Sequence, residues 1–235
     1  MKINGVSWRL SQRLSFFSFL FAFLLCFPSL SFGKEEGTGD ADTAVVARCF
    51  DGDTVKLMDR RVVRLGGIDT PELAHGNLYE QFYARKAQKL LENLVSGKKV
   101  TLIEVSVNSK DNYGRIIADL MLEDGRSVSD TMVRQGAAFF YPHKDLLPDL
   151  QERLRSLQRE AIEERAGLWA ELLEHPIAGQ NYIGNRDSLR FFPADCPQAQ
   201  SIKPRKRVYF GTLMDAFLAG FAPSRVCPFW PRAQY

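Results

Sequence analysis

Two short acidic motifs and two arginines are the residues of this chain best suited to chemistry. The motif DGDT lies at 51–54, the motif DTPE lies at 69–72 after Arg64, and Arg115 follows further along. Oxygen ligands alone suit a hard divalent cation. A spare carboxylate can act on water, and guanidinium groups match phosphate oxygens. If the fold brings these groups together, they predict hydrolysis of a phosphodiester.

Each motif also has an ordinary structural interpretation when it is taken alone. DGDT is typical of a turn capped by its Asp side chains, and Thr-Pro-Glu is a common way to begin a helix. Arg115 could pair with Asp119 or Asp111 at a strand end. The occurrence of all the motifs together, joined by Arg64, favours a functional site.

Strand geometry gives a reason for the carboxylates to meet. Asp53 directly precedes one predicted strand, while Asp69 and Glu72 follow the strand that contains Arg64. Neighbouring strands of a meander place these ends side by side. Carboxylates packed this closely repel each other, and a bound divalent cation removes that cost.

The pattern of apolar residues predicts a small barrel with helices. Alternating or continuous apolar runs indicate strands, and apolar residues at helical spacing indicate helices. The predicted strands lie at 44–50, 54–58, 62–65, 99–107 and 115–122, and the predicted helices at 78–95, 127–135 and 150–164. This order predicts an α+β chain with an OB-fold, a five-stranded β-barrel with three helices. The fold alone does not settle the function.

The N-terminal residues follow the pattern of a secretory leader. Basic residues precede an apolar stretch at 14–27, and small residues then stand at the two positions that a signal peptidase reads. We expect a signal peptide at 1–33 and an exported protein, periplasmic or extracellular, with no stable membrane association after cleavage. The alternative is a protein tethered to the membrane by an uncleaved leader. Pro28 and Ser29 disfavour it, because they interrupt the apolar run before the roughly 20 residues that a spanning helix needs.

Charge is distributed unevenly along the chain. Its 235 residues carry a formal net charge of +3, equal to the three basic residues of the leader, so the remainder is neutral overall. Beyond Pro176, eight Lys or Arg stand against three Asp or Glu. Attraction to a polyanion must therefore come from a bound cation or from local clusters. The cluster KPRKR at 203–207 is equally compatible with a solvated turn.

The length and composition divide the chain into one well-packed domain and an appendage. Polar residues at 34–43 predict a flexible lead-in segment. We expect the barrel domain at 44–175 and a small accessory module at 176–235, and the length excludes a large multidomain protein.

The ordered motifs resemble those of one known family. FDGDTVKLM at 50–58, RLGGIDTPE at 64–72, YGR at 113–115 and VRQG at 133–136 look like successive motifs of the staphylococcal nuclease (thermonuclease) family. The resemblance covers residues 44–169. It implies a calcium-dependent endonuclease that hydrolyses DNA and RNA and leaves 3′-phosphate ends. We expect it to act as a monomer.

The resemblance implies a Ca²⁺ site. Asp53 and Asp69 would bind the ion directly, and the backbone carbonyl of Thr70 would complete the protein's share of the ligands. Asp51 would lie near the metal without being a ligand.

The resemblance also implies catalytic and substrate-binding roles. Glu72 would be the general base or would orient the attacking hydroxide. Arg64 and Arg115 would hold the phosphate and stabilise the charge that builds up on its oxygens. Tyr113 and Tyr141 are the candidates for contact with the nucleotide, and core packing is the alternative for Tyr141.

The C-terminal residues 176–235 are similar to a different protein, the zinc-binding domain of the bacterial DNA-alkylation repair regulator (Ada-type). Phe192 and Ser224 stand where two of its four ligands belong, so we predict no zinc, since structural sites take four protein ligands. The resemblance places Cys196 near Cys227. In an oxidising compartment we expect a disulfide between them, with free thiols as the alternative.

A second class of function is a noncatalytic OB-fold module that binds nucleic acid or protein. Loss of catalysis in this fold usually shows as replaced carboxylates or arginines. All five such residues of the predicted site are present here, which favours the enzyme.

Overall fold

The computed structural model describes residues 41–76, 79–227 and 229–233. The predicted signal peptide at 1–33 and nearly all of the lead-in segment at 34–43 lie outside the described residues. All described residues belong to one compact unit. Among them, no helix combines the length and the apolar character needed to cross a membrane.

The described residues form short strands and helices in an alternating order. In chain order these are β1 (Thr43–Cys49), β2 (Thr54–Leu57), β3 (Val62–Leu65), β4 (Ile68–Asp69), α1 (Ala84–Val95), β5 (Lys99–Glu104), β6 (Ile116–Leu122), α2 (Val128–Arg134), β7 (Phe139–Phe140), α3 (Pro148–Glu163), α4 (Leu168–Leu172), β8 (Tyr182–Asn185), β9 (Arg190–Pro193), α5 (Pro197–Gln200), β10 (Arg207–Phe210), α6 (Leu213–Leu218) and β11 (Ala222–Pro223).

Five strands close into a barrel in the order β1, β2, β3, β6, β5. Neighbours run antiparallel except β3 and β6, which are parallel. Successive side chains of a strand point to opposite faces, and the inward positions, such as Val55, Leu57, Val63 and Leu65, are buried in the barrel core. The structure therefore confirms the predicted α+β chain with a five-stranded OB-type barrel.

The helix predicted over 78–95 begins at Ala84 instead. Tyr83, directly before it, has a φ of 74°, which interrupts regular helical backbone. Gln81 forms a β-bridge with Arg232 from the C-terminal end of the chain. The first predicted turns are thus replaced by a long-range backbone pairing that apolar periodicity cannot reveal.

The C-terminal module contains a second sheet, with the strand order β10, β8, β9, β11. Three of its strands are antiparallel neighbours, and β11 pairs with β9 in parallel. The helices α5 and α6 accompany the sheet, and we keep the name module for the described residues from 176 onward.

Aromatic packing joins the module to the barrel domain. Phe217 of the module contacts Trp169 and Phe139, with ring centroids 4.9 and 5.5 Å away. Gln158 on α3 is 2% exposed. Its Oε1 accepts from the backbone N–H of Phe140 (2.8 Å), and its Nε2 donates to the carbonyl of Phe217 (2.9 Å). The barrel domain and the module therefore share a hydrophobic cluster, which is distinct from the core of the barrel.

A disulfide joins Cys196 and Cys227, whose Cα atoms are 6.2 Å apart. It links the start of α5 to the segment that follows β11. Cys49 is a free, buried thiol of the barrel core, and burial raises its pKa to about 11.

Removing the disulfide is expected to destabilise the protein. The bond joins residues 31 positions apart. Closing a loop of that length restricts the unfolded chain by about 3–4 kcal/mol. The double variant Cys196→Ser with Cys227→Ser should therefore lose about that much free energy of unfolding in urea titrations. Reductant should shift the wild-type midpoint to that of the variant and leave the variant unchanged. A wild-type unfolding midpoint that does not change with reductant would contradict the presence of the disulfide.

Candidate active site

The two carboxylates predicted to bind a cation lie on either side of one arginine. Asp53 and Asp69 are 4% and 3% exposed. Nη2 of Arg64 lies 3.0 Å from Oδ2 of Asp53 and 2.7 Å from Oδ1 of Asp69. The two acidic motifs therefore converge.

Strand pairing and one turn bring these residues together. Thr54 pairs with Arg64 across β2 and β3, so Asp53, at the start of β2, lies beside the arginine. Nη1 of Arg64 donates to the carbonyl of Ile68 at 2.9 Å. This bond closes the turn between β3 and β4 and brings Asp69 back toward the guanidinium.

Side-chain hydrogen bonds fix the turn of the DGDT motif at 51–54. Oδ1 of Asp51 accepts from the backbone N–H of Asp53 (2.9 Å), and the hydroxyl of Thr54 donates to Oδ1 of Asp53 (2.9 Å). The hydroxyl of Thr70 donates to Oδ2 of Asp53 at 3.2 Å. Thr70, whose carbonyl was predicted as a ligand, thus contacts Asp53 through its side chain and joins the two motifs.

The carboxylate cluster carries unfavourable electrostatics. Burial and, less strongly, the charge of Asp53 raise the pKa of Asp51 to about 7. Burial also raises the pKa of Asp69 to about 6, although neighbouring guanidinium groups oppose the shift. For Arg64, burial lowers the pKa, but Asp53 and Asp69 outweigh that effect and keep the guanidinium charged. Additional positive charge would therefore stabilise the charged form of these carboxylates.

The donor chemistry of the cluster fits a small hard cation, because its candidate ligand atoms are all oxygens. Within the described part of the chain, no three His, Cys, Asp or Glu side chains form a ready metal cage. Two carboxylates, a carbonyl and waters are the ligand set that remains. Such mixed shells are usual for Ca²⁺.

Glu72 lies at the edge of this cluster, and its side chain is 34% exposed. Its backbone N–H donates to Oε1 of Gln81, and its carbonyl accepts from the N–H of Gln81, both at 2.9 Å. The carboxylate is bound by Arg225 of the module, whose Nη2 lies 2.8 Å from Oε1. Glu72 is therefore held at both its backbone and its carboxylate.

Arg225 is the site residue that the sequence analysis missed. Its Nη2 also donates to Oδ1 of Asp69 at 2.6 Å, across 156 residues of sequence. None of the thermonuclease-like motifs includes Arg225. The one signal in the sequence is the excess of positive charge beyond Pro176, which complements the acidic excess of the barrel domain.

Arg115 pairs with Asp111, the second of the two alternatives considered for it. Its Nε donates to Oδ2 of Asp111 at 2.7 Å. Its guanidinium carbon lies 5.4 Å from the ring centroid of Tyr113, which is 86% exposed. The arginine is thus oriented by a carboxylate next to an exposed aromatic ring.

A groove of about 190 Å³ is lined in part by arginines. Arg64, Arg115, Tyr141 and Arg225 are among its lining residues. Tyr141 is half-buried, and the guanidinium carbon of Arg190 lies 3.6 Å from its ring centroid, so a module arginine covers one face of the ring. Tyr141 therefore packs against a module arginine and also lines the groove, and its contact with a nucleotide stays a prediction.

A larger cavity of about 550 Å³ lies on the other side of Arg225. Asp69, Thr70 and Glu72 line it from the barrel domain, and Trp230 is among the lining residues from the C-terminal end. Arg225 contributes to the walls of both this cavity and the groove. Arg225 is thus the residue shared by the cavity that Asp69 and Glu72 line and the groove that Arg64 and Arg115 line.

Gly52 is expected to be intolerant of a side chain. An added Cβ would lie 2.8 Å from Oγ1 of Thr70 and 2.9 Å from Cβ of Ala87. Gly52→Ala should therefore lower the free energy of unfolding by about 1–3 kcal/mol through overpacking. Gly52 has no positive φ, so crowding alone produces the effect. Urea titration measures it.

Gly179→Ala is the matched control, because nothing lies within 4 Å of its added Cβ and its φ is not positive. That variant should keep wild-type stability or gain slightly. Equal stability of the two variants would contradict the close packing of the acidic turn.

Comparison with known proteins identifies the family. The model of the family described as Staphylococcal nuclease homologue matches residues 62–171. An "Uncharacterized endonuclease" of Escherichia coli is 38% identical over 129 residues, which cover 54% of this chain and 76% of that protein. "Endonuclease YhcR" of Bacillus subtilis is 26% identical over 227 residues, 86% of this chain and 18% of that protein. "Endonuclease YncB" of the same organism is 29% identical over 146 residues, 59% of this chain and 63% of that protein. The chain therefore belongs to the staphylococcal nuclease family, a family of phosphodiester-hydrolysing nucleases.

Proposed function

We propose that this protein is an exported endonuclease that depends on Ca²⁺, hydrolyses DNA and RNA as a monomer, and leaves 3′-phosphate ends. The observation that supports the proposal most strongly is the contact of one guanidinium, that of Arg64, with both Asp53 and Asp69. It shows that the two acidic motifs meet beside an arginine.

The cation would be held by Asp53, Asp69 and the carbonyl of Thr70. When bound, it supplies positive charge that polarises the phosphoryl group and lowers the pKa of nearby water. The burial that raises the pKa of Asp69 is the reason the site favours such an ion, because a dication restores the carboxylates to their charged form.

Glu72 acts on the attacking water as general base. A base must lie within hydrogen-bond reach of the proton that it removes. Its carboxylate is partly exposed and borders the larger cavity, while Gln81 fixes its backbone. The water side of the reaction therefore lies toward that cavity.

Arg64 and Arg115 act on the phosphate from the groove. Hydrolysis of a phosphodiester places extra negative charge on the nonbridging oxygens, and a planar guanidinium can meet two of them at once. Asp111 orients Arg115 through Nε. Arg64 lines the same groove, and its Nη atoms contact Asp53 and Asp69, so binding of the phosphate requires it to exchange some of these partners.

Tyr113 contacts the phosphate end of the nucleotide, and Tyr141 contacts its base or sugar. Aromatic rings stack on any base, which suits a nuclease that accepts both DNA and RNA. The exposed ring of Tyr113 lies beside Arg115, and Tyr141 lines the groove that contains the same arginine.

Export is supported by the leader pattern at 1–33 and by the disulfide, since such bonds persist in oxidising compartments. A protein with an uncleaved leader would be tethered at the membrane instead. N-terminal sequencing of the native protein separates the two, because cleavage exposes Lys34 as the first residue.

Removal of the cation or of one catalytic group is expected to abolish most of the activity. Wild-type protein should degrade plasmid DNA and RNA with Ca²⁺ and should fail to do so with chelator. Glu72→Gln should lower kcat by a factor on the order of 10²–10⁴. Arg115→Ala should lower it by about 10²–10³. Arg126→Ala is the matched control, because Arg126 pairs with Asp124 through Nε in the same manner but is exposed.

The products are read out by polymerase extension. Ends that carry a 3′-phosphate prime synthesis only after phosphatase treatment, whereas 3′-hydroxyl ends prime directly. Equal digestion in chelator would refute the cation's role. Binding of nucleic acid without cleavage by the wild type would favour the noncatalytic module.

A further inference from the structure

The C-terminal segment of the chain places Arg225 in the candidate active site. We use the name C-terminal strap for residues 224–227 and 229–233. The strap begins where β11 ends, and the backbone N–H of Ser224 donates to the carbonyl of Phe191 at 2.9 Å. Two residues after Arg225, Cys227 is joined to the module by the disulfide. Arg225 is thus held from both sides along the chain.

The rest of the strap is bonded to the backbone that follows Glu72. The N–H of Phe82 donates to the carbonyl of Pro231 (2.7 Å), and the hydroxyl of Tyr79 donates to the carbonyl of Trp230 (2.7 Å). Nε1 of Trp230 donates to the carbonyl of Phe82 at 3.1 Å. Because Gln81 lies between Tyr79 and Phe82, the strap is coupled to the residue that holds the backbone of Glu72.

The guanidinium of Arg225 bridges two carboxylates of different predicted roles. Nη2 lies 2.6 Å from Oδ1 of Asp69, a predicted cation ligand, and 2.8 Å from Oε1 of Glu72, the predicted base. Asp69 and, less strongly, Glu72 raise the pKa of Arg225, so it is charged. The contact sets the relative position of the two carboxylates.

We propose that Arg225 is a positioning residue of the catalytic site, supplied by the C-terminal module, which orients the carboxylate of Glu72 relative to Asp69. The inference rests on the proposed function. It has a second consequence, because a positive charge on Asp69 opposes binding of a cation to the same carboxylate. Arg225 therefore raises turnover while it lowers the affinity for the cation.

These opposite effects separate positioning from simple structural support. A residue that only maintained the fold would, when removed, loosen the site and weaken both cation binding and turnover. A positioning cation, when removed, leaves the carboxylates with more negative charge and a less ordered base. Cation affinity and turnover should then change in opposite directions.

Two substitutions of Arg225 test this, with Ca²⁺ affinity measured by titration calorimetry and kcat and KM measured on DNA at saturating Ca²⁺. Arg225→Met keeps an unbranched apolar side chain and removes the charge, so Ca²⁺ should bind about three- to tenfold more tightly. Its kcat should fall about ten- to a hundredfold with little change in KM. Arg225→Lys restores the charge without the planar fork, so Ca²⁺ affinity should return to the wild-type value while kcat recovers only partly.

Arg186→Met is the matched control, because Arg186 is an exposed arginine of the same module and lies outside the basic cluster at 203–207; both its affinity and its kcat should equal those of the wild type. A kcat of Arg225→Met that is unchanged or raised would overturn the inference, as would Ca²⁺ affinity that falls together with kcat. In each of those cases an active wild type leaves the proposed function intact. A wild type that neither binds Ca²⁺ nor cleaves refutes the proposed function, and the inference falls with it.

Discussion

The contact of Arg64 with Asp53 and Asp69 is the interaction on which the site depends. Two buried carboxylates this close together are unstable in an apolar surrounding unless positive charge and hydrogen bonds offset their desolvation. Arg64 supplies both, and its bond to the carbonyl of Ile68 shapes the turn that presents Asp69. The same constraint explains why the cluster suits a cation, since one guanidinium leaves the pKa of Asp69 raised.

The C-terminal module also places a positive charge beside Glu72. The module shares a hydrophobic cluster with the barrel domain, and Gln158 ties the two together through buried hydrogen bonds on both of its side-chain polar atoms. Arg225 then adds a second guanidinium to Asp69 and binds Glu72. The carboxylates of the candidate site are therefore positioned by both the barrel domain and the C-terminal module.

The sequence predicted the contacts that form between residues close to each other along the chain. Asp53, Arg64 and Asp69 lie within one meander, so alternation along the strands and turn chemistry were sufficient to bring them together. The start of α1 and the role of Arg225 depend on pairing across about 150 residues, and neither periodicity nor a motif encodes such contacts. The opposite net charges of the barrel domain and of the residues beyond Pro176 were the one sequence feature that pointed to the contact of Arg225.

A crystal structure of the protein soaked with Ca²⁺ tests the central claim most directly, because it locates the ion relative to the carboxylates. The account predicts one ion at about 2.3–2.6 Å from carboxylate oxygens of both Asp53 and Asp69, with Arg64 close by. An ion bound elsewhere, or a site that stays free of Ca²⁺ at concentrations that support cleavage, would contradict it.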